Sequence, residues 1–161
     1  MGSGKSTAGK KLASRMGFQC IDLDQYIELK TGKSISQIFE DDGENMFREL
    51  EKKYLQELAK QTHTIISTGG GTPCFFDNMQ WMNSKGTTIY LQMSPTSLVH
   101  RLQNATSTRP ILKNKTNHEL LEFVTNALAD REKYYLEAHI QAKGENLNIT
   151  ELLEKIKEHR L

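Results

Sequence analysis

The residues with types and spacing suited to chemistry fall into a few short clusters. Gly2-Ser3-Gly4-Lys5-Ser6-Thr7 reads as the closing half of a phosphate-binding loop, G-x-x-x-x-G-K-[ST]. Glycines there let successive backbone N–H groups turn toward an anion, and Lys5 sets a point charge against the β- and γ-phosphates. The Ser6 hydroxyl is suited to Mg²⁺, and a helix opening at Lys5 presents its positive end to the same phosphates. Asp22 and Asp24 form a second cluster. Their side chains project differently, so that one could hold a metal-bound water while the other reaches a substrate hydroxyl; the plainer alternative is a turn cap before a helix at Gln25. Gly69-Gly70-Gly71 means either close backbone approach to a ligand or a loose turn. Arg109 lies in a segment without periodicity, where a lid bearing positive charge could close over a phosphate site. Arg48 and Arg131, on helical patterns, read by themselves as solvated charges, with Arg48 paired to Glu44 or Glu51 across a turn. The five histidines show no metal-ligand spacing. His139 reads as structural, and Trp81, Tyr134 and Tyr135 as packing.

The elements that must position these residues alternate between apolar runs and helical patterns, the mark of βαβ units and a parallel sheet. A helix from Lys5 to about Met16 carries Ala8, Leu12, Ala13 and Met16 at helical spacing. Phe18 to Leu23 reads as a strand ending in the acidic pair, followed by a short helix to about Thr31 stopped by Gly32. Ser34 or Ser36 caps a second short helix with Ile38 and Phe39. The longest helix is expected from Glu44 to about Gln61, with Phe47, Leu50, Leu55 and Leu58 on one side. Thr64 to Thr68 is a strand running into the glycines, Asn78 to Ser84 a helix, and Thr87 to Gln92 a strand. Ser94-Pro95 opens a helix to about Asn104. Residues 105–115 have no periodicity. Asn117 to about Leu136 is helical, Ala138 to Ala142 is the last strand, and Asn148 with Glu151 resembles a capping box for a closing helix. Ligands of such open sheets sit beyond the carboxyl ends of the strands, where Asp22, Asp24 and Gly69 to Gly71 fall.

With 161 residues the chain suits one domain with a sizeable core. Net charge is +1, from 21 basic and 20 acidic residues, so no global field draws it to nucleic acid or to an anionic membrane. Cys20 and Cys74 fit free thiols in a reducing compartment, and neither a long apolar run nor a leader peptide is evident, which together predict a cytoplasmic protein. The first glycine of the phosphate loop and the strand that feeds it would both lie upstream of Met1. The expectation is therefore that Met1 is internal to a natural chain starting roughly ten residues earlier, which the intact mass of the native protein tests. Four strands are visible, five with that leader, and a sheet lacking its middle strand leaves unpaired backbone on both neighbours.

Taken together, Gly2-x-Gly4-Lys5-Ser6-Thr7, Asp22-Leu23-Asp24, Gly43-Glu44-x-x-Phe47-Arg48-x-x-Glu51, Ser67-Thr68-Gly69-Gly70-Gly71, Arg109-Pro110-Ile111-Leu112 and Arg131-x-x-x-Tyr135 resemble, in order and approximate spacing, the shikimate kinases. The resemblance spans nearly the whole chain. It implies a P-loop α/β sandwich of three layers with a parallel sheet, as one kinase domain over residues 1–161, with an acceptor-binding region about 24–61 and a lid about 105–115. The implied reaction is ATP-dependent phosphorylation of the shikimate 3-hydroxyl on the way to chorismate and aromatic amino acids. Gly2, Ser3, Gly4, Lys5, Ser6, Thr7 and Arg109 would bind ATP, and Ser6 and Asp22 would serve Mg²⁺. Lys5, Asp24 and Arg109 would be catalytic, with Asp24 accepting the proton of the attacking hydroxyl. Arg48 and Arg131 would grip the shikimate carboxylate, and Gly69, Gly70 and Gly71 would meet substrate through backbone amides. Residues around Asn146 would flank adenine. Arg101 is the candidate to stack on it, because no second arginine lies between Arg101 and Arg109. Isoleucine at position 111 replaces the leucine more common in the family. No nucleic acid, membrane or protein partner is implied, and a monomer is expected. The alternatives are another small-molecule P-loop kinase, such as a gluconate kinase, and a ligand-binding relative without turnover.

Overall fold

In a computed structural model the described residues are 2–104 and 116–160. The first helix, α1 (Lys5–Met16), begins after Gly4 and ends at Gly17. Both glycines are left-handed, with φ of 83° and 68°, a region that costs most other residues strain. Strand β1 (Gln19–Asp22) leads directly into α2 (Leu23–Thr31), so the expected strand is trimmed at both ends and Leu23 belongs to the helix. The reason is local: the Asp22 carboxylate accepts from the backbone N–H groups of Asp24 and Gln25, capping the helix two residues earlier than the sequence suggests. Helix α3 (Ile35–Asp41) starts at Ser34, whose hydroxyl and the Gln37 side chain form a reciprocal capping box. Helix α4 (Gly43–Leu58) follows, then β2 (Thr64–Ser67).

Beyond the glycines lies a short 3₁₀ turn, Thr72–Cys74, which the sequence patterns do not announce. Then come α5 (Asn78–Lys85), β3 (Ile89–Gln92), α6 (Pro95–Asn104), α7 (Asn117–Tyr135), β4 (Ile140–Lys143) and α8 (Ile149–Arg160). At 19 residues α7, and not α4 with 16, is the longest helix among the described residues. Asn148 caps α8 through the N–H groups of Thr150 and Glu151.

Alternation along β2 sorts side chains into separate layers, as a pleated strand requires. Ile66 packs with Ile21 against the cluster of Leu23, Ile27, Ile38, Phe47, Leu55 and Leu58 under α2, α3 and α4. Ile65 faces the other way, toward Leu12 of α1 and Leu152 and Ile156 of α8. A third cluster, with Met93, Leu98, Val99, Leu120 and Val124, joins α6 to α7. Leu23, Ile27, Ile38 and Leu58 are fully buried. At about 1.5–3 kcal/mol for each such side chain, these clusters rather than helix propensity hold the strand ends in place.

The strands pair in parallel, but as two separate pairs rather than one sheet. β1 joins β2, with Gln19 opposite Thr64, and β3 joins β4, with Ile89 opposite Ile140. The division falls between β2 and β3, where a cavity of about 630 Å³ runs past Ile65, Ile66, Ile89, Leu91 and Leu12 and opens beside Ser3 and Lys5. Tyr90 Oη is buried beside this cavity with no hydrogen-bond partner among the described residues. Desolvation pushes its pKa up to about 12.

Candidate active site

The phosphate loop is shaped by its glycines. Gly2 and Gly4 both have positive φ, 71° and 83°, and the Ala8 N–H donates to the Gly4 carbonyl as α1 begins. The Lys5 amine lies 3.5 Å from Ser3 Oγ, while Ser6 and Thr7 are exposed at the start of the helix. A Cβ on Gly4 would stand 3.0 Å from Nη1 of Arg101, which donates to the Ser3 carbonyl while Nη2 donates to that of Gly144. Arg101 thus fastens the loop to the end of β4. It also lines a second cavity, of about 420 Å³, with Ser97, His100, Glu145 and Asn146. That cavity lies on the side of the loop where the sequence resemblance puts adenine.

Asp22 serves two partners at once. Its Oδ1 caps α2 and its Oδ2 accepts from Ser6 Oγ at 2.8 Å. The cap that the sequence offered as one alternative for this residue is therefore present, and the same carboxylate also meets Ser6. No cluster of three or more His, Cys, Asp or Glu side chains exists among the described residues. A divalent site here fits Mg²⁺, which takes one or two protein oxygens and completes its shell with water and phosphate; Ser6 and Asp22 offer hard oxygen donors of that kind.

The acceptor half is built around the glycine turn. A Cβ on Gly69 would lie 3.6 Å from Asp24 Oδ1 and 3.2 Å from Glu51 Oε1, and one on Gly71 only 2.8 Å from Arg48 Nη1. Any side chain at Gly71 would displace the guanidinium. Arg48 is held along α4, donating to Glu44 Oε1 at 2.9 Å and to Glu51 Oε2 at 3.3 Å, and its guanidinium carbon sits 3.9 Å from the Phe75 ring centre. Both helical pairings read from the sequence are present, yet the arginine is neither solvated nor remote: its side chain is 12% exposed.

Glu51 is the residue that sequence spacing quoted without assigning a task. It is 1% exposed, and its Oε1 accepts from Thr72 Oγ1 at 2.6 Å. Burial raises its pKa, against the pull of Thr72 and of Arg48.

Arg131 arrives from α7 on the far side of the turn, lining the same cavity as Lys5, Gly69, Gly70 and Tyr135. Tyr135, read from the sequence as packing, does stack near Tyr90 but also donates its hydroxyl to the Gly70 carbonyl at 2.5 Å. An aromatic pair at the end of a helix gives no hint that one hydroxyl will meet a loop sixty-odd residues away. Burial pushes the Tyr135 pKa up, with the Arg131 guanidinium beside it drawing it back. Cys74 is likewise raised by burial and lowered first by Arg131 and then by Arg48, so both arginines stand near this turn. His139 is structural, as expected, hydrogen-bonded with Thr88 and packed against His159. Arg109 and the expected lid at 105–115 lie outside the described residues.

The glycine loop before α1 and the glycine turn after β2 thus line one cavity, and comparisons with known proteins identify the family. A family model described as shikimate kinase matches residues 1–159. The shikimate kinase of Parabacteroides distasonis is 47% identical over 147 residues, covering 91% of this chain and 85% of that protein. That of Chlorobaculum tepidum is 41% identical, covering 98% of this chain and 87% of the relative. The crystal structure of shikimate kinase from Bacteroides thetaiotaomicron superposes with a TM-score of 0.88 at 39% identity, covering 98% of this chain and 90% of that one. The Acinetobacter baumannii enzyme in complex with shikimate gives 0.84 at 30% identity, covering 100% and 90%. The chain belongs to the shikimate kinase family.

Proposed function

We propose that this chain transfers the γ-phosphoryl group of ATP to the 3-hydroxyl of shikimate, giving ADP and shikimate 3-phosphate. The observation that carries the reading is the convergence on one glycine turn: Asp24 and Arg48 reach it from α2 and α4, while Arg131 and Lys5 share its cavity.

The backbone amides of Gly2 to Gly4 and the N-terminus of α1 would bind the phosphates of ATP. Lys5 braces the phosphoryl group in flight, and Ser6 and Thr7 complete the loop. Ser6 and Asp22 would hold Mg²⁺, which would supply charge neutralisation at the phosphates. Arg48 and Arg131 take the acceptor's carboxylate between them, because a planar guanidinium matches a carboxylate with two parallel N–H donors. Gly69, Gly70 and Gly71 meet the ring through backbone groups. Asp24 accepts the proton of the attacking hydroxyl, and Arg109, brought by a lid at residues 105–115, adds positive charge as the phosphoryl moves. Little covalent work falls to the protein; alignment of hydroxyl and γ-phosphorus does most of it.

The chain acts as one kinase domain, and we propose a monomer in the cytoplasm. Among the described residues no helix is long and apolar enough to cross a membrane, and both cysteines are free thiols. An assay coupled to ADP release, run with shikimate, with gluconate and without acceptor, tests the function. Shikimate-dependent ADP release is expected. Equal rates with gluconate would favour a kinase of broader acceptor range, and no release with any acceptor would leave a binding protein.

A further inference from the structure

The structure assigns Thr72 a positioning role in the acceptor half of the site, an inference that builds on the reaction proposed above. We infer that its hydroxyl, through Glu51, sets the direction in which Arg48 presents its guanidinium. Thr72 is fully buried and opens the 3₁₀ turn directly after Gly69 to Gly71. Its Oγ1 donates to Glu51 Oε1 at 2.6 Å, and the other oxygen of that carboxylate accepts from Arg48 Nη1 at 3.3 Å. Its carbonyl is held in turn by Asn78 Nδ2 at 2.9 Å, with Asn78 itself 2% exposed. A chain of buried polar groups therefore runs from α5 through the turn to α4.

One hydroxyl is the joint of this chain. A carboxylate as deeply buried as Glu51 needs a donor on each oxygen, and an O–H donor to an ionised oxygen is among the stronger single hydrogen bonds. When the Thr72 hydroxyl is removed, Oε1 has lost its donor at the same point where a Gly69 Cβ would stand 3.2 Å away. The carboxylate then turns or takes up a proton, and its hold on Arg48 weakens. Glu44, the other partner of Arg48, is 54% exposed and draws the guanidinium outward along α4. The Ser6–Asp22 hydrogen bond and the Arg101 tether of the glycine loop do not pass through Thr72 or Glu51, so the ATP KM is expected to hold.

Steady-state kinetics on Thr72→Val, Thr72→Ala and Thr72→Ser provide the test. Serine and alanine both lose the methyl, so their difference isolates the hydroxyl even if the valine variant folds poorly. The shikimate KM is expected to rise about ten- to 150-fold in the valine and alanine variants, the range of one lost hydrogen bond to a charged group. The serine variant should stay within about twofold of the parent, and the ATP KM should be unmoved in all three. An unchanged shikimate KM in alanine, equal damage in serine and alanine, or a parallel rise in ATP KM would overturn the role. Hydrogen exchange of the Arg48 Nη1–H, which donates to Glu51, followed by NMR, reads the same coupling without turnover. Slow exchange kept by serine and lost by alanine supports the role, and identical exchange in both contradicts it. If the parent chain itself releases no ADP with shikimate, the proposed reaction fails and this second readout still decides the role of Thr72.

Discussion

Asp22 and Asp24 are separated by a single residue, and α2 begins between them. Asp22 is committed on both oxygens, to the helix start and to Ser6, while Asp24 turns toward Gly69. Division of labour follows from that geometry. In the proposed reaction Asp24 accepts the proton of the attacking hydroxyl, so Asp24→Asn, which keeps the shape, is expected to lower turnover by about 10²- to 10⁴-fold with the ATP dissociation constant nearly unchanged. Undiminished turnover would remove Asp24 from that role. Glu51 carries a different signature. Its folded pKa is raised, so between the unfolded value and the raised one the folded protein holds more protons than the unfolded chain. The resulting stabilisation is complete below the unfolded pKa and is lost as pH rises through the folded pKa. Denaturant melts of the parent and of Glu51→Gln from pH 4 to 8 should therefore show the parent losing stability relative to the variant as pH rises; a difference independent of pH would contradict the assignment. The exposed Asp77 and Glu57, whose pKa values are lowered chiefly by hydrogen bonds from Lys52 and from Tyr26, contribute in the opposite direction as pH falls. They are present in both proteins and cancel.

Elements were legible in the sequence to the extent that periodicity governs them. The α1 helix, the long amphipathic α4 and the strand running into the glycines all follow from apolar spacing and glycine punctuation, because burial of one face decides them. What spacing could not show is contact between distant segments. Thr72 and Glu51 are linked across 21 residues and Tyr135 and Gly70 across 65, and nothing in the local pattern marks either pair. Arg48 illustrates the limit from the other side: its helical ion pairs were readable, whereas its burial against Phe75 was not. Tyr90 on β3 offers a test at this scale. Its hydroxyl is buried without a partner among the described residues, so Tyr90→Phe should leave the fold intact and stabilise it by about 1 kcal/mol, or about 2–4 °C in melting midpoint. A lower midpoint would mean that the hydroxyl is satisfied in solution.

Across the whole molecule, the paired strands form two halves tied together by α1, the α8 cluster and the helices around the glycine turn. The order of elements and the layered α/β arrangement were legible; the separation into two pairs was foreshadowed only by the expectation of unpaired edges. Those edges face each other across an apolar slot that opens at the phosphate loop. An N-terminal extension carrying an apolar strand of about five residues, long enough to cross a sheet of this size, should enter the slot and pair with β2 and β3. The melting midpoint should then rise by about 5 °C or more, with tighter ATP binding as the loop is anchored. An unchanged midpoint would show that the slot does not accept a strand. The central claim, that one cavity brings a triphosphate and a hydroxy acid into line, is tested most directly by phosphorus NMR of the protein incubated with ATP, Mg²⁺ and shikimate. A phosphate monoester on the shikimate 3-oxygen, growing in step with ADP, is the result expected. ADP accompanied only by inorganic phosphate, or ATP left intact, would contradict it.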